Sequence, residues 1–141
     1  MRVIVDTNVL VSACIGKGPS SKVIEACLTG AVAPVVGTTL FLEYCDVFSR
    51  LASFARARFD ADERALLLRA FISTCTWQAV YFQWRPNLAD EADNHLVELA
   101  FAANASIIVT SNLKDFQRSD LLFPQIDILQ PEAFVLSLIH I

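Results

Sequence analysis

A chain of 141 residues, 55% hydrophobic and only 18% charged, carries enough apolar material for a real core and is not a disordered segment; it reads as one domain over 1–141. The longest uncharged run, between Glu25 and Glu43, is broken by Gly30, Pro34 and Gly37, whereas a membrane helix needs about 20 continuous apolar residues, so no membrane span is expected. Asp6 interrupts the first apolar stretch too early for a secretory signal, which points to the cytoplasm, and the net charge of -4 speaks against a nucleic-acid partner unless the acids gather around a cation.

The coarse pattern alternates strand and helix. Arg2 to Val5 reads as a short buried strand that ends in Asp6. A loop with Gly16, Gly18 and Pro19 follows, and Ser20 or Ser21 caps a helix that Gly30 stops after Thr29. Ala33 to Val36 is the second strand, and Thr38 or Thr39 caps a helix to about Leu51 that carries Glu43. Asp60 or Asp62 opens another helix, with Leu66, Leu67, Ala70 and Phe71 at helical spacing. Gln78 to Phe82 is the third strand, and Trp77, Tyr81, Phe82 and Trp84 in and around it serve as core or interface rather than as a base-stacking platform. Glu91 to Ala103 is a helix, Ser106 to Val109 and Ile126 to Leu129 are strands four and five, and Pro131 starts a final helix. This rhythm predicts an α/β fold, a three-layer α/β/α arrangement on a mostly parallel five-stranded sheet.

Four cysteines, Cys14, Cys27, Cys45 and Cys75, form no CxxC pair, which excludes a zinc site of that kind and leaves them as small buried apolar residues. The acids are more informative. Asp6 follows strand one, Glu43 sits in the helix after strand two, Asp90 and Asp93 lie at the start of the helix after strand three, and Asn112 and Asp115 follow strand four. A parallel sheet brings those four crossovers to one edge, where open α/β sheets keep their ligands. Oxygen donors collected in this way suit hard divalent cations, Mg²⁺ or Mn²⁺, which usually take a few carboxylates plus substrate phosphate. Such ions generate a hydroxide nucleophile and stabilise the oxyanion leaving a phosphodiester. No Gly-rich phosphate loop is present.

Those residues resemble the PIN-domain nucleases, most closely the VapC-like toxin ribonucleases of toxin–antitoxin modules. The likeness rests on Val-Ile-Val-Asp-Thr-Asn-Val-Leu at 3–10, Glu43-Tyr44, Asp93-Asn94 leading into Leu96-Val97-Glu98-Leu99-Ala100, Ile107 to Asn112, and Lys114-Asp115-Phe116. It implies a Mg²⁺- or Mn²⁺-dependent endoribonuclease whose first three acids, and metal ligands, are Asp6, Glu43 and Asp93, and whose products carry a 5′-phosphate and a 3′-hydroxyl. The fourth acid of the family falls on Asn112, so one ion is held tightly and a second is recruited with the substrate, with Asp115 compensating through water. Thr7, Asn8, Asp90 and Asn94 support the acids. Glu98 lies about 140° round the helix from Asp93 and is better placed to pair with Asn94 than to bind metal.

Lys17, Lys22, Lys114 and Arg118 are the candidates for RNA phosphate contacts. Arg56, Arg58, Arg64 and Arg69 decorate the helical pair, where an antitoxin or a second subunit of a homodimer docks; His95 is assigned to the surroundings of the acids or the surface. The alternative function is a non-catalytic PIN-fold adaptor for RNA or protein, which Asn112 keeps open. A phosphotransfer fold is disfavoured: Asn8 stands where a haloacid dehalogenase wants its second acid, and no Lys follows Lys114 for a receiver.

Overall fold

Five short strands, each of two to four residues and mostly apolar, lie side by side in one all-parallel sheet in the order β3-β2-β1-β4-β5. They are β1 (Arg2–Val5), β2 (Ala33–Val36), β3 (Thr76–Trp77), β4 (Ile107–Val109) and β5 (Asp127–Leu129). In this computed structural model residues 1–50, 59–80, 94–113 and 125–139 are described, Asn94 by its backbone alone. The described helices are α1 (Thr7–Ile15), α2 (Pro19–Leu28), α3 (Thr38–Phe48), α4 (Ala61–Thr74), α5 (Asn94–Ala103) and α6 (Pro131–Ile139). Helices cover both faces of the sheet, giving the three-layer α/β/α architecture expected. None of the described helices is long and apolar enough to cross a membrane.

The central strands are continuous apolar runs because both of their faces are covered. Val3, Ile4 and Val5 of β1 and Ile108 and Val109 of β4 are fully buried. Leu10 and Cys14 from α1, Leu40 and Tyr44 from α3, Phe71 from α4, Leu96 and Val97 from α5, and Phe134 from α6 complete the core. Val3, Ile4 and Val5 pair in register with Ile107, Ile108 and Val109. The chain adds β2 and β3 outward from one side of β1, then crosses to the other side for β4 and β5. That reversal creates a crevice at the carboxyl ends of β1 and β4.

Several local signals act as the sequence suggests. Gly30, at φ +83°, closes α2: its N–H donates to Cys27 O at 3.3 Å and that of Ala31 to Ala26 O at 2.9 Å, a Schellman pair. Asn104, at φ 53°, ends α5 in the same manner. Asp60 opens α4 through a reciprocal capping box with Glu63. Asp60→Ala is expected to cost about 1 kcal/mol, read as a lowered urea midpoint at unchanged slope.

Other boundaries differ. The stretch after Asp6 is a helix, α1, before the glycine-bearing loop is reached; Asp6 itself is its N-cap, accepting from Thr7 N, and Val9 N donates to Asp6 O. The Val-, Thr-, Asn- and Ser-rich composition hides that helix, whose formation is driven by burial rather than propensity. Gly18 and Gly37, not serine or threonine, precede α2 and α3, with Pro19 pre-set for the first helical position of α2. A Cβ at Gly37 would stand 3.1 Å from Leu99 Cδ1 and 3.2 Å from Gln78 O, so close packing selects glycine there.

The third strand is Thr76–Trp77; residues 78–80 of the expected 78–82 strand follow it, with Gln78 N donating to Val36 O at 2.9 Å, and Tyr81, Phe82 and Trp84 lie outside the described residues. Trp77 is exposed, with its ring against Phe41, centroids 5.1 Å apart. Arg64 is buried, not a surface decoration, and its Nη1 donates to Phe59 O at 2.9 Å. Cys14 and Cys27 are buried, Cys45 and Cys75 half-buried, and all are free. Burial pushes the Cys27 and Cys75 thiols up to about 12, which keeps them neutral and unreactive.

Candidate active site at the crevice between β1 and β4

Asp6 occupies the first position beyond β1, where the register with β4 sets it beside Thr110. Its N–H donates to Val109 O at 2.9 Å, so the sheet ladder itself fixes the backbone. The carboxylate is 5% exposed and both oxygens are engaged. Thr7 N donates to Oδ1 at 2.8 Å; Thr110 Oγ1 at 2.7 Å and Asn8 Nδ2 at 3.3 Å donate to Oδ2. Burial holds this carboxyl above its ordinary value, the bonds from Thr110 and Thr7 pull it back, and the nearby Glu43 charge pushes it up again.

Glu43 arrives from α3, in its second turn. Thr7 Oγ1 donates to Oε1 at 2.5 Å and His95 Nε2 of α5 lies 3.1 Å from Oε2. Thr7 thus touches both acids, Asp6 by its N–H and Glu43 by its hydroxyl. The His95 bond holds the Glu43 carboxyl below its ordinary value against the opposing effect of partial burial, with the Thr7 bond acting in the same direction as His95. Next to it Tyr44, fully buried, donates from its hydroxyl to Val5 O at 2.5 Å and fastens α3 to the strand that ends in Asp6.

Thr110 is a relay. Its hydroxyl donates to Asp6 and accepts from Asn112 N at 3.1 Å, which holds the exposed Asn112 two steps from the carboxylate. Asn8 spans the crevice: its Nδ2 donates to Asp6 and its Oδ1 accepts from Ser111 N at 3.2 Å. Glu98 is buried and lines a cavity of about 120 Å³ with Gly37, Thr38, Thr39 and His95, beside the end of β2. Lys17 and Lys22 line a groove of about 460 Å³ between the start of α2 and α6, separated from Asp6 along the chain by the whole of α1.

Asp90, Asp93, Lys114, Asp115 and Arg118, and the side chain of Asn94, lie outside the described residues. Among the described residues no three His, Cys, Asp or Glu side chains form a group able to hold a metal ion by themselves. Two members of the network were underweighted by sequence reasoning: Thr110, whose position one past a buried strand in register with β1 was a usable signal, and His95, which nothing local distinguishes from a surface histidine.

A family model described as the PIN domain matches residues 2–114, a span that includes Asp6, Glu43, Asp93 and Asn112 and stops short of Asp115 and Arg118. No curated protein sequence matches the chain. The fold is similar to that of a chain in the crystal structure of VapBC2 from Rickettsia felis bound to a DNA fragment from their promoter, with a TM-score of 0.58 over 92% of this chain and 98% of that one. At 17% identity this is a likeness of fold alone. The all-parallel sheet, the two acids Asp6 and Glu43 meeting at its crevice and the extent of the family match lead to one conclusion: the chain belongs to the PIN-domain family, whose members are nucleases.

Proposed function

We propose that this protein is a metal-dependent endoribonuclease, the toxin of a toxin–antitoxin module. The observation that carries the reading is the junction of Asp6 and Glu43, delivered by different crossovers and tied to one residue, Thr7. Asp6 is buried and the Glu43 charge raises its proton affinity further, so the two carboxylates form an anionic pair that a cation would relieve. All the donors are hard oxygens, which suits Mg²⁺ or Mn²⁺, and PIN-domain nucleases generally use divalent metals. Asp6, Glu43 and, from outside the described residues, Asp93 would hold the ion. When bound, the ion supplies Lewis acidity toward water and phosphate.

The protein's own part is orientation. Thr7 N and Thr110 Oγ1 lock the two Asp6 oxygens, and Thr7 Oγ1 and His95 lock those of Glu43, so neither carboxylate has to be ordered when substrate arrives. Asn112, held through Thr110, orients water where a fourth acid is missing, with Asp115, outside the described residues, assisting. With a neutral amide at that position, a second ion would be recruited together with the RNA rather than held by the chain alone. Lys17, Lys22, Lys114 and Arg118 contact phosphates, which positions the strand without reading it. The complex to which the fold is likened is VapBC2 on promoter DNA, which supports an antitoxin partner for this chain; a homodimer is proposed beside it.

Purified protein incubated with a broad RNA panel is expected to cut internally in Mg²⁺ or Mn²⁺, leaving 5′-phosphate ends, and to stop in EDTA. No cleavage in any metal, together with Mn²⁺ binding weaker than millimolar, would replace this reading with the non-catalytic adaptor that Asn112 keeps in view.

A further inference from the structure

Beside the acids, on the far side of Asn8, lies a second cavity of about 210 Å³, of mixed polar and apolar lining, formed by Pro19, Ser20, Ser111, Gln130, Pro131 and Glu132. It sits at the starts of α2 and α6, at the carboxyl edge of β4 and β5. It joins the acids through one side chain: Asn8 accepts from Ser111 N and donates to Asp6. Ser20 is 9% exposed, lines the cavity, and its hydroxyl bonds to no described group. A hydroxyl with no partner among the described residues that opens onto such a space is available to bond to a ligand in place of water.

We propose that this cavity is the specificity subsite of the same active centre and holds one guanine base of single-stranded RNA next to the scissile phosphate, an inference that rests on the nuclease reading. Size limits the occupant. The space is smaller than the roughly 300–1,000 Å³ of pockets for drug-sized molecules, so it takes one base, not a run of them. Charge limits it further. Glu132, in the first turn of α6, is an acceptor only, and none of the described residues lining this cavity is basic, whereas Lys17 and Lys22 line the neighbouring groove that also reaches Glu132.

A carboxylate is complementary to two adjacent N–H donors, and guanine alone among the four bases presents that pair, its ring N–H and exocyclic amino group, with an acceptor oxygen beside them. Ser20 and Ser111 supply hydroxyl donors for that oxygen. Unpaired bases expose these edges in single strands, which is where sequence-specific RNA readers act. The prolines at the first positions of α2 and α6 give flat apolar walls and remove N–H groups that would otherwise need partners.

The test compares hexauridylate with hexamers carrying one guanosine, adenosine or cytidine at the third position. Binding is read by fluorescence anisotropy and cleavage by gel, both in Mg²⁺. Wild type is expected to bind the guanosine hexamer about tenfold more tightly than hexauridylate, within the range of one bidentate base contact. Glu132→Ala, an exposed position, should bring the hexamers to within about twofold of one another, and Ser20→Val should do so in part, with Mn²⁺ affinity unchanged in both. Equal binding of all four hexamers by wild type, a preference for another base, or a guanosine preference that survives Glu132→Ala would overturn the proposal. Failure of the nuclease reading has a different signature: base discrimination in binding with no cleavage of any hexamer.

Discussion

Asp6→Asn is expected to slow RNA cleavage by about a thousandfold or more while leaving the protein folded. A metal site supplies several kcal/mol of charge stabilisation to a phosphodiester transition state, and each 1.36 kcal/mol is a factor of ten in rate. The substitution is close to isosteric and keeps an oxygen for Thr7 N, while Thr110 can turn its hydroxyl to accept from the new amide; the bond given up is the long one from Asn8 Nδ2, 3.3 Å in the wild type.

The stability of that variant separates this explanation from simple unfolding. The Asp6 carboxyl is held above its ordinary value chiefly by burial, so the folded state binds its proton more readily than the unfolded chain does. In metal-free buffer the ionised group therefore weakens the fold at neutral pH, and its contribution improves as pH falls through the raised folded value toward 3.8. Asp6→Asn removes that pH-dependent cost and should melt no lower than wild type in EDTA. Added Mn²⁺ reverses the order. An ion that binds only the folded state adds about 2.7 kcal/mol at a hundred times its dissociation constant, and wild type alone should show that rise in Tm. Glu43 contributes with the opposite slope: its carboxyl is held low by His95, so its stabilisation is present above 4.5 and is lost as pH falls through the lowered folded value.

The second large effect belongs to Tyr44. It has no exposed surface, meets Phe71 edge-on with centroids 5.8 Å apart, and bonds to Val5 O. Tyr44→Ala is expected to cost about 3–5 kcal/mol, as for other large-to-small aromatic changes in cores. Tyr44→Phe keeps the ring and loses only the hydroxyl, leaving a carbonyl beside Asp6 without that donor, a cost of about 1–3 kcal/mol. The Phe variant should also lower cleavage, because Tyr44 anchors the helix on which Glu43 stands. Chemical denaturation followed by circular dichroism reads the first effect, and cleavage assayed well below the unfolding midpoint reads the second. A Phe variant as stable as wild type would remove Tyr44 from its place as the clamp between α3 and β1.

The architecture was legible because it follows from two simple patterns. Buried strands such as Val3–Val5 and Ile107–Val109 are short apolar runs bounded by polar residues, and an acid placed immediately after such a run reports the ligand-bearing edge of the sheet. Helix stops at Gly30 and Asn104 were equally open to reading, since only those residues take positive φ readily. What stayed hidden depends on tertiary context. Helix α1 has residues of poor helical propensity and is stabilised by burial of Val9, Leu10, Ala13 and Cys14. Gly37 precedes α3 because Leu99 and Gln78 crowd it, a constraint invisible in the local sequence. Thr7 bonding to Glu43 and His95 bonding to the same carboxylate join residues distant in the chain, and no local signal announces such pairs.

Mn²⁺ titration followed by electron paramagnetic resonance bears most directly on the idea that these scattered oxygens make one cation site. Wild type should bind below the millimolar range, and Asp6→Asn, Glu43→Gln and Asp93→Asn should each weaken it by at least about tenfold while Asp46→Asn, an exposed acid on the same helix as Glu43, has no effect. Undiminished Mn²⁺ affinity in the Asp6 and Glu43 variants would mean that the two carboxylates do not share an ion.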